Sequence, residues 1–283
     1  MNNPNPRQLD AVTSFRALHE SGCFILPNPF DVGSALYLHH LGFRALASTS
    51  AGFAFTRGLP DDVSAIPRAV MLEHIRDIVL ATPLPVNADF QNGYAHEPEA
   101  VAESVKLCVA TGVAGLSIED NTGDASKPLY DDKIAVERIE AARRAIDQSG
   151  IPVVLTARCE ASLVGHPNAF EFALKRLTEF ADAGADCLYA PGITEAEQIS
   201  AIVKAVAPKP VNVIVSRPAP DLTLSRLTDL GVRRISVGSA LSRVAWGAFI
   251  QAARSIANTG QFESLSDGAS FAELNEVFGR KQS

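Results

Sequence analysis

Cysteine is scarce in this chain and follows no pattern: Cys23, Cys108, Cys159 and Cys187 are four residues in 283, with no CxxC pair and no metal-ligand spacing. That excludes a disulfide framework and a thiolate zinc site, and leaves reduced, buried thiols as the expectation. Positive charge is also short. Lys and Arg number 25 against 32 Asp and Glu, and the net charge is −7. The basic residues are scattered, which argues against nucleic acid or an anionic membrane as the main partner. No apolar run approaches the roughly 18 residues of a membrane span. The opening MNNPNPRQLD lacks the apolar segment of a secretory signal, so a cytoplasmic protein is expected. Also missing are a P-loop, a GxSxG nucleophile elbow and a Gly-rich dinucleotide loop. The six histidines fall on predicted helices or loops with no zinc spacing.

What is present is a rhythm. Short apolar runs recur at 23–27, 45–49, 84–89, 114–119, 153–158, 187–190, 211–215 and 234–237. They are near-continuously hydrophobic, as strands buried on both faces are. Between them lie amphipathic helical stripes, one of Phe170, Leu174, Leu177 and Ala181, another of Ile199, Ile202, Val203 and Val206. Gly22, Gly42, Gly112, Gly150, Gly184 and Gly231 each precede a strand, where glycine supplies the left-handed cap of a helix. Eight strand-then-helix alternations predict an α/β fold, a closed (β/α)8 TIM barrel occupying 1–283 as one domain. An open doubly wound sheet is the alternative. Residues 239–258 read as a long helix with Trp246 and Phe249, and Ser270-x-x-Glu273 has capping-box spacing ahead of Leu274, Val277 and Phe278. This C-terminal helical extension, 239–283, exceeds what a barrel needs. It either covers the barrel bottom or packs on another subunit.

Chemistry in such a barrel gathers at the carboxyl ends of the strands. There the sequence places Ser48, Thr49 and Ser50 after strand two, Asp89 after strand three, Glu119 and Asp120 after strand four, and Arg158 after strand five. Mg²⁺ usually takes one or two carboxylates and keeps several waters. Asp89 and Glu119 suit that role, with Gln91 and Asp61 as water-mediated partners. Arg158 suits a bidentate clamp on a carboxylate or phosphonate. Each candidate has a plainer reading beside it. Asp120 reads as a helix cap or surface acid, Arg158 as a salt-bridge partner of Glu160, residues 48–50 as a polar turn, and 52–62 as a surface loop or a pocket wall.

On these residues the chain resembles the isocitrate lyase/phosphoenolpyruvate mutase superfamily. The resemblance rests on Phe30-Asp31 with Ser34-Ala35, Ser48 through Gly58-Leu59-Pro60-Asp61, Asp89-x-Gln91-x-Gly93-Tyr94, Ile118-Glu119-Asp120 and Ala157-Arg158-Cys159-Glu160-Ala161. It covers nearly the whole barrel. It implies a Mg²⁺-dependent carbon–carbon lyase, with Mn²⁺ as the substitute ion, acting on a small 2-oxo or 2-hydroxy di- or tricarboxylate through a pyruvate-like enolate. In that scheme Asp89 holds the metal directly, while Asp61, Gln91 and Glu119 hold metal-bound waters. Ser48, Thr49 and Ser50 hold the substrate carboxylate, Asn121 is a further substrate contact, and Arg158 binds substrate and joins Asp61 in the catalytic set. A homotetramer with exchanged C-terminal helices is also implied, which would account for the extension.

Two departures shape the reading. The superfamily's C–C lyases carry a Lys-Lys-Cys-Gly-His-like loop after strand four, whose cysteine is the general acid. Here 120–131 reads Asp-Asn-Thr-Gly-Asp-Ala-Ser-Lys-Pro-Leu-Tyr-Asp, with neither cysteine nor histidine. Tyr94 and Lys127 are the nearby proton donors left to replace it. Gln91 stands where the family usually has an acid, which weakens a metal site. The expectation is therefore a decarboxylase-type or methylisocitrate-lyase-like enzyme. The alternatives are a C–P enzyme (a phosphoenolpyruvate mutase or phosphonopyruvate hydrolase, with Asn121, Thr122 and Lys127 in its loop) and a non-catalytic 2-oxo-acid binder.

Overall fold

A computed structural model describes residues 5–279. All eight apolar runs form strands, each shorter than its run: β1 (Phe24–Leu26), β2 (Leu46–Ala47), β3 (Val86–Asp89), β4 (Gly115–Glu119), β5 (Val154–Arg158), β6 (Cys187–Tyr189), β7 (Val211–Ile214) and β8 (Arg234–Ser236). They make one parallel sheet in the order β1-β8-β7-β6-β5-β4-β3-β2, so chain order is kept around a barrel. Its two ends, β1 and β2, meet through one main-chain hydrogen bond, from the Ala47 amide to the Pro27 carbonyl at 3.0 Å. Pro27 has no N–H to return a bond, so the ladder stops there. The buried Asn28 carboxamide takes over. Its Nδ2 donates to the Ser48 carbonyl at 2.9 Å, and its Oδ1 accepts the amides of Val237 and Gly238 at 3.0 and 2.9 Å. One side chain thus ties β1, β2 and β8 at the mouth.

The helices are α1 (Pro6–Glu20), α2 (Val32–His40), α3 (Ser50–Thr56), α4 (Arg68–Ala81), α5 (Pro98–Val109), α6 (Asp132–Ser149), α7 (Ala169–Asp182), α8 (Ala196–Val206), α9 (Leu224–Asp229), α10 (Ala240–Thr259) and α11 (Phe271–Gly279). The six glycines expected before strands all have positive φ, between 71° and 102°, a region closed to most other residues. The two apolar stripes face the barrel, with Leu177, Ala181, Ile199, Ile202 and Val206 buried, while Phe170, Leu174 and Val203 are half-buried. No disulfide forms. Among the described residues no helix is long and apolar enough to cross a membrane.

Three features differ from expectation. The barrel bottom is closed by α1, which precedes the first strand, not by the C-terminal extension. Val12 and Phe15 of α1 are fully buried, and a Cβ on Gly115 would come within 2.7 Å of the Phe15 ring. The final helix α11 lies on α2 of its own chain, where the Tyr37 hydroxyl donates to Glu273. Ser270 accepts the Glu273 amide at 3.1 Å, but the Glu273 carboxylate is turned to Tyr37 rather than back to its cap. Only half of the capping box is therefore built. Finally, the barrel interior is polar: Asn87, Ser117, Thr156, Asn212 and Arg234 are buried within strands whose apolar neighbours gave them a uniformly hydrophobic look.

Candidate active site

Strand pairing brings the predicted residues together. β3 pairs with β4, and β4 with β5, so that Glu119 and Arg158 are register partners and Asp89 is level with Ser117. A cavity of about 860 Å³ opens over these strand ends. Ser48, Thr49, Ser50, Asp61, Asp89, Gln91, Glu119, Asn121 and Arg158 all line it. The first part of the 52–62 stretch is the end of α3 rather than a loop, and its last residues, Asp61 and Asp62, are cavity wall. Gly52 is required there, because a Cβ would stand 2.6 Å from the Thr49 methyl.

Asp89 faces two ways. Its Oδ2 accepts the Ser50 amide and the Ser50 hydroxyl, both at 2.8 Å, which caps the first turn of α3. Its Oδ1 lies 3.5 Å from Arg158 Nη1. The three hydroxyls after β2 are already engaged by the scaffold: Ser48 accepts the Asp89 amide at 2.9 Å, Thr49 caps its own helix at Gly52, and Ser50 holds Asp89. Arg158 sits among three acids. Its Nε contacts Glu160 most closely and lies 3.4 Å from Glu119 Oε2. Arg158 therefore pairs with Glu160, its plainer reading, and also lines the cavity.

The charge balance is lopsided. Asp61, Asp89, Glu119 and Glu160 surround the one guanidinium of Arg158, while Arg217, Arg234 and Arg243 line other parts of the cavity. Burial pushes the Glu119 carboxyl well above its ordinary range, Arg158 opposes the shift, and Glu160 and Asp89 reinforce it. Burial and then Asp89 raise Asp61 as well. For Arg158, burial works against the charge, but Glu160 and Glu119 outweigh it and keep the proton on. Its guanidinium also lies over the ring of Tyr189, 5.2 Å from the centroid. The buried Tyr189 phenol is pushed up to about 12.

Gln91 occupies the left-handed region with φ of 47°, and its buried Oε1 has no hydrogen-bond partner among the described residues. Tyr94, with φ of 56°, has a buried hydroxyl that also lacks one. Arg138 of α6, 1% exposed, fastens this loop by donating to the carbonyls of Asn92, Ala95 and His96. Among the described residues no three acidic, imidazole or thiol groups converge as a ready-made metal cage. A hard ion that takes one carboxylate and keeps its waters still fits: Asp89 offers an oxygen toward the cavity, Gln91 an unpartnered acceptor, and the surplus acids a negative field.

Several sequence readings are corrected. Asp120 is neither a helix cap nor a surface acid. It is buried, pairs with Arg176 at 2.9 Å and accepts the Glu160 amide at 2.8 Å. Burial raises its carboxyl to about 6 against the pull of Arg176. Lys127 does not line the cavity and pairs with Asp131 on the surface. Thr122 is likewise outside, its hydroxyl donating to the Lys127 carbonyl at 2.6 Å. The Tyr94 hydroxyl is sealed beneath the carboxylates rather than in the cavity. Asn121 does line it, with its Oδ1 accepting the Gly123 amide at 2.8 Å in a loop tied by an antiparallel bridge to Leu129. Glu160 received no site role from the sequence, although its two-residue spacing from Arg158 turns both side chains inward. The β7–β8 side of the cavity, with Asn212, Ser236 and Arg234, was not foreseen at all.

The family profile of phosphoenolpyruvate phosphomutase matches residues 15–257. An uncharacterized protein of Mycobacterium tuberculosis is 32% identical over 264 residues, covering 92% of this chain and 94% of the relative. A crystal structure from Burkholderia cenocepacia J2315, assigned only provisionally as a lyase/mutase, is 44% identical with a TM-score of 0.93, covering 98% of this chain and 99% of that one. Oxaloacetate acetylhydrolase in complex with its product oxalate is 28% identical with a TM-score of 0.85, covering 96% and 94%. With the barrel, the strand-end acids and these matches in hand, the chain belongs to the phosphoenolpyruvate phosphomutase family, within the isocitrate lyase/PEP mutase superfamily.

Proposed function

We propose that this chain is a divalent-metal-dependent carbon–carbon lyase for a small 2-oxo or 2-hydroxy diacid, of decarboxylase type, with oxaloacetate the first substrate to try. One observation carries the choice: among the described residues no cysteine and no histidine lines the cavity. A cleavage that expels CO₂ needs stabilisation of the enolate left behind but no thiol acid for the bond-breaking step. The likeness to oxaloacetate acetylhydrolase supports a four-carbon oxo diacid.

Asp89 is the residue proposed to hold Mg²⁺ or Mn²⁺, with Asp61, Gln91 and Glu119 acting through water. Bound there, the ion supplies Lewis-acid stabilisation of negative charge on oxygen. The chain's own residues do the rest. Arg158 faces the developing oxyanion with a permanent charge, and Glu160 fixes the direction of its guanidinium. The Ser48 and Thr49 hydroxyls accept scaffold amides and so keep their protons to donate to the substrate carboxylate, while Ser50 holds Asp89 beside them. Asp61, whose carboxyl is pushed above its ordinary range by burial and then by Asp89, is suited to hold or move a proton. The exposed apolar residues of α10 and beyond are proposed to be covered in a homotetramer with exchanged C-terminal helices.

A second reading rests on the family match itself: Asn121 lines the cavity, as a C–P enzyme would need. Purified protein with Mg²⁺ is assayed against oxaloacetate, 2-methylisocitrate, 2,3-dimethylmalate and phosphonopyruvate. Pyruvate and CO₂ from oxaloacetate above the metal-only rate are expected. Turnover of phosphonopyruvate alone would move the assignment to C–P chemistry. No turnover of any, with oxalate still bound, would make the chain a binder.

A further inference from the structure

Below the carboxylates lies a charge with nothing to balance it. Arg234 opens β8, is 2% exposed and lines the floor of the cavity. Its Nε donates to Asn212 Oδ1 at 2.8 Å, its Nη2 to Thr156 Oγ1 at 3.0 Å, and its Nη1 faces His19 Nε2 at 3.4 Å. None of these partners carries negative charge. Burial, then Arg234 itself, pushes the His19 imidazole down to about 3, so it is neutral. Burial also raises the nearby Cys187 thiol, so it keeps its proton.

The other buried guanidiniums are treated differently. Arg158 has three carboxylates, and Arg176 has Asp120 and Asp132. Arg138 likewise has no carboxylate, but it is held by three loop carbonyls and the face of the Tyr130 ring, away from the cavity. Among the described residues Arg234 makes no ion pair. A guanidinium has five N–H donors in a rigid fork, and the three contacts above leave donors of Arg234 unused. Buried charges in proteins are paired or neutralised, because an uncompensated one is strongly unfavourable. Barrels of this class fill their interior with branched aliphatic side chains, whereas here Asn212 and Ser236 flank the cation and leave polar space beside it.

We propose that the barrel floor at Arg234, flanked by Asn212 and Ser236, is a binding site for a compact monovalent anion. The occupant is either an inorganic ion of halide size or the far carboxylate of an acid entering from the mouth. Both present the same chemistry to the guanidinium. The site does not depend on which reaction the cavity performs.

Bromide is the probe. Thermal unfolding of the full chain is compared in sodium bromide and in sodium gluconate of equal ionic strength, gluconate being too bulky for the floor. Occupancy raises the midpoint by about 2–4 °C in bromide, and bromide-soaked crystals show an anomalous peak beside the Arg234 guanidinium. Arg234→Met removes both signals. Asn212→Asp supplies an internal carboxylate at Arg234 Nε and makes the midpoint insensitive to the anion, and it carries the test alone if the first variant fails to fold. Soaking with oxalate or malate separates the sources. A peak retained with both marks an inorganic ion, and a peak displaced by the longer malate alone marks a substrate arm. Bromide found only at the surface, with equal midpoints in both salts, would overturn the proposal.

Discussion

Asp89 divides its two oxygens between two tasks, and the division can be tested. One oxygen caps α3, a helix of seven residues whose first turn also carries Ser50. The other faces Arg158 and the cavity. Asp89→Ala should abolish Mn²⁺-dependent oxalate binding in calorimetry and also cost about 1 kcal/mol of stability, the usual size of a lost N-cap. Asp89→Asn keeps an acceptor for the Ser50 amide, so its denaturation midpoint should return while the metal affinity stays lost. Full metal affinity in the asparagine variant would remove Asp89 from the metal site. At this scale the sequence was legible where a polar residue ends an apolar run, because a strand buried on both faces carries that residue to the barrel mouth. It was illegible where the partner is remote. Asp120 looked exposed because Arg176 lies 56 residues away, and Asn28 went unnoticed because the amide of Val237 lies 209 away.

At the scale of elements, the loop between β3 and α5 is held in a form it would not choose. Two non-glycine residues, Gln91 and Tyr94, sit at positive φ, which typically costs about 1–3 kcal/mol each. Arg138 supplies the restraint from α6. Arg138→Lys keeps the charge but loses the fork, so Mn²⁺ affinity should fall roughly 10-fold or more, as for other groups that orient metal ligands. The same substitution in a Gln91→Ala background should have little further effect on affinity. Additive losses would show that Arg138 acts only on the fold.

The packing of α3 on α4 predicts an acid response. His74 stacks on Phe53 with ring centroids 3.7 Å apart, and burial lowers its imidazole to about 4. The folded chain therefore binds this proton less readily than the unfolded chain, whose histidine titrates near 6.5. Its contribution is complete above about pH 6.5 and declines as the pH falls toward 4, by about 1.4 kcal/mol per pH unit. His74→Phe should give a shallower loss of stability over that window in denaturant titrations, with His19 accounting for part of the slope that remains.

At the scale of the molecule, the C-terminal third of the surface is the unusual part. Val244, Phe249, Phe262 and Phe271 are between 61% and 88% exposed, and large apolar side chains exposed together mark an interaction surface. Replacing Phe249 and Phe271 together with Asp should move the proposed tetramer to smaller species in light scattering, leaving the barrel's circular dichroism intact. A monomeric wild-type chain at micromolar concentration would defeat that assembly. The barrel itself was readable because strands buried on both faces leave apolar runs and because glycine marks each helix end. The closure of its bottom by α1 was not, since that helix announces itself only through the shape of the hole that Phe15 fills.

The seam between β1 and β2 has a mechanical meaning. A cylinder held by seven full ladders and one rivet is a slit tube, able to change its girth without disturbing the other seven. The rivet, Asn28, grips the carbonyl of Ser48, the first residue of the segment proposed to receive the substrate carboxylate. Whatever draws on that segment therefore pulls on the slit, and the exchange rate of the single Ala47 amide that crosses it becomes a gauge of whether the mouth is filled.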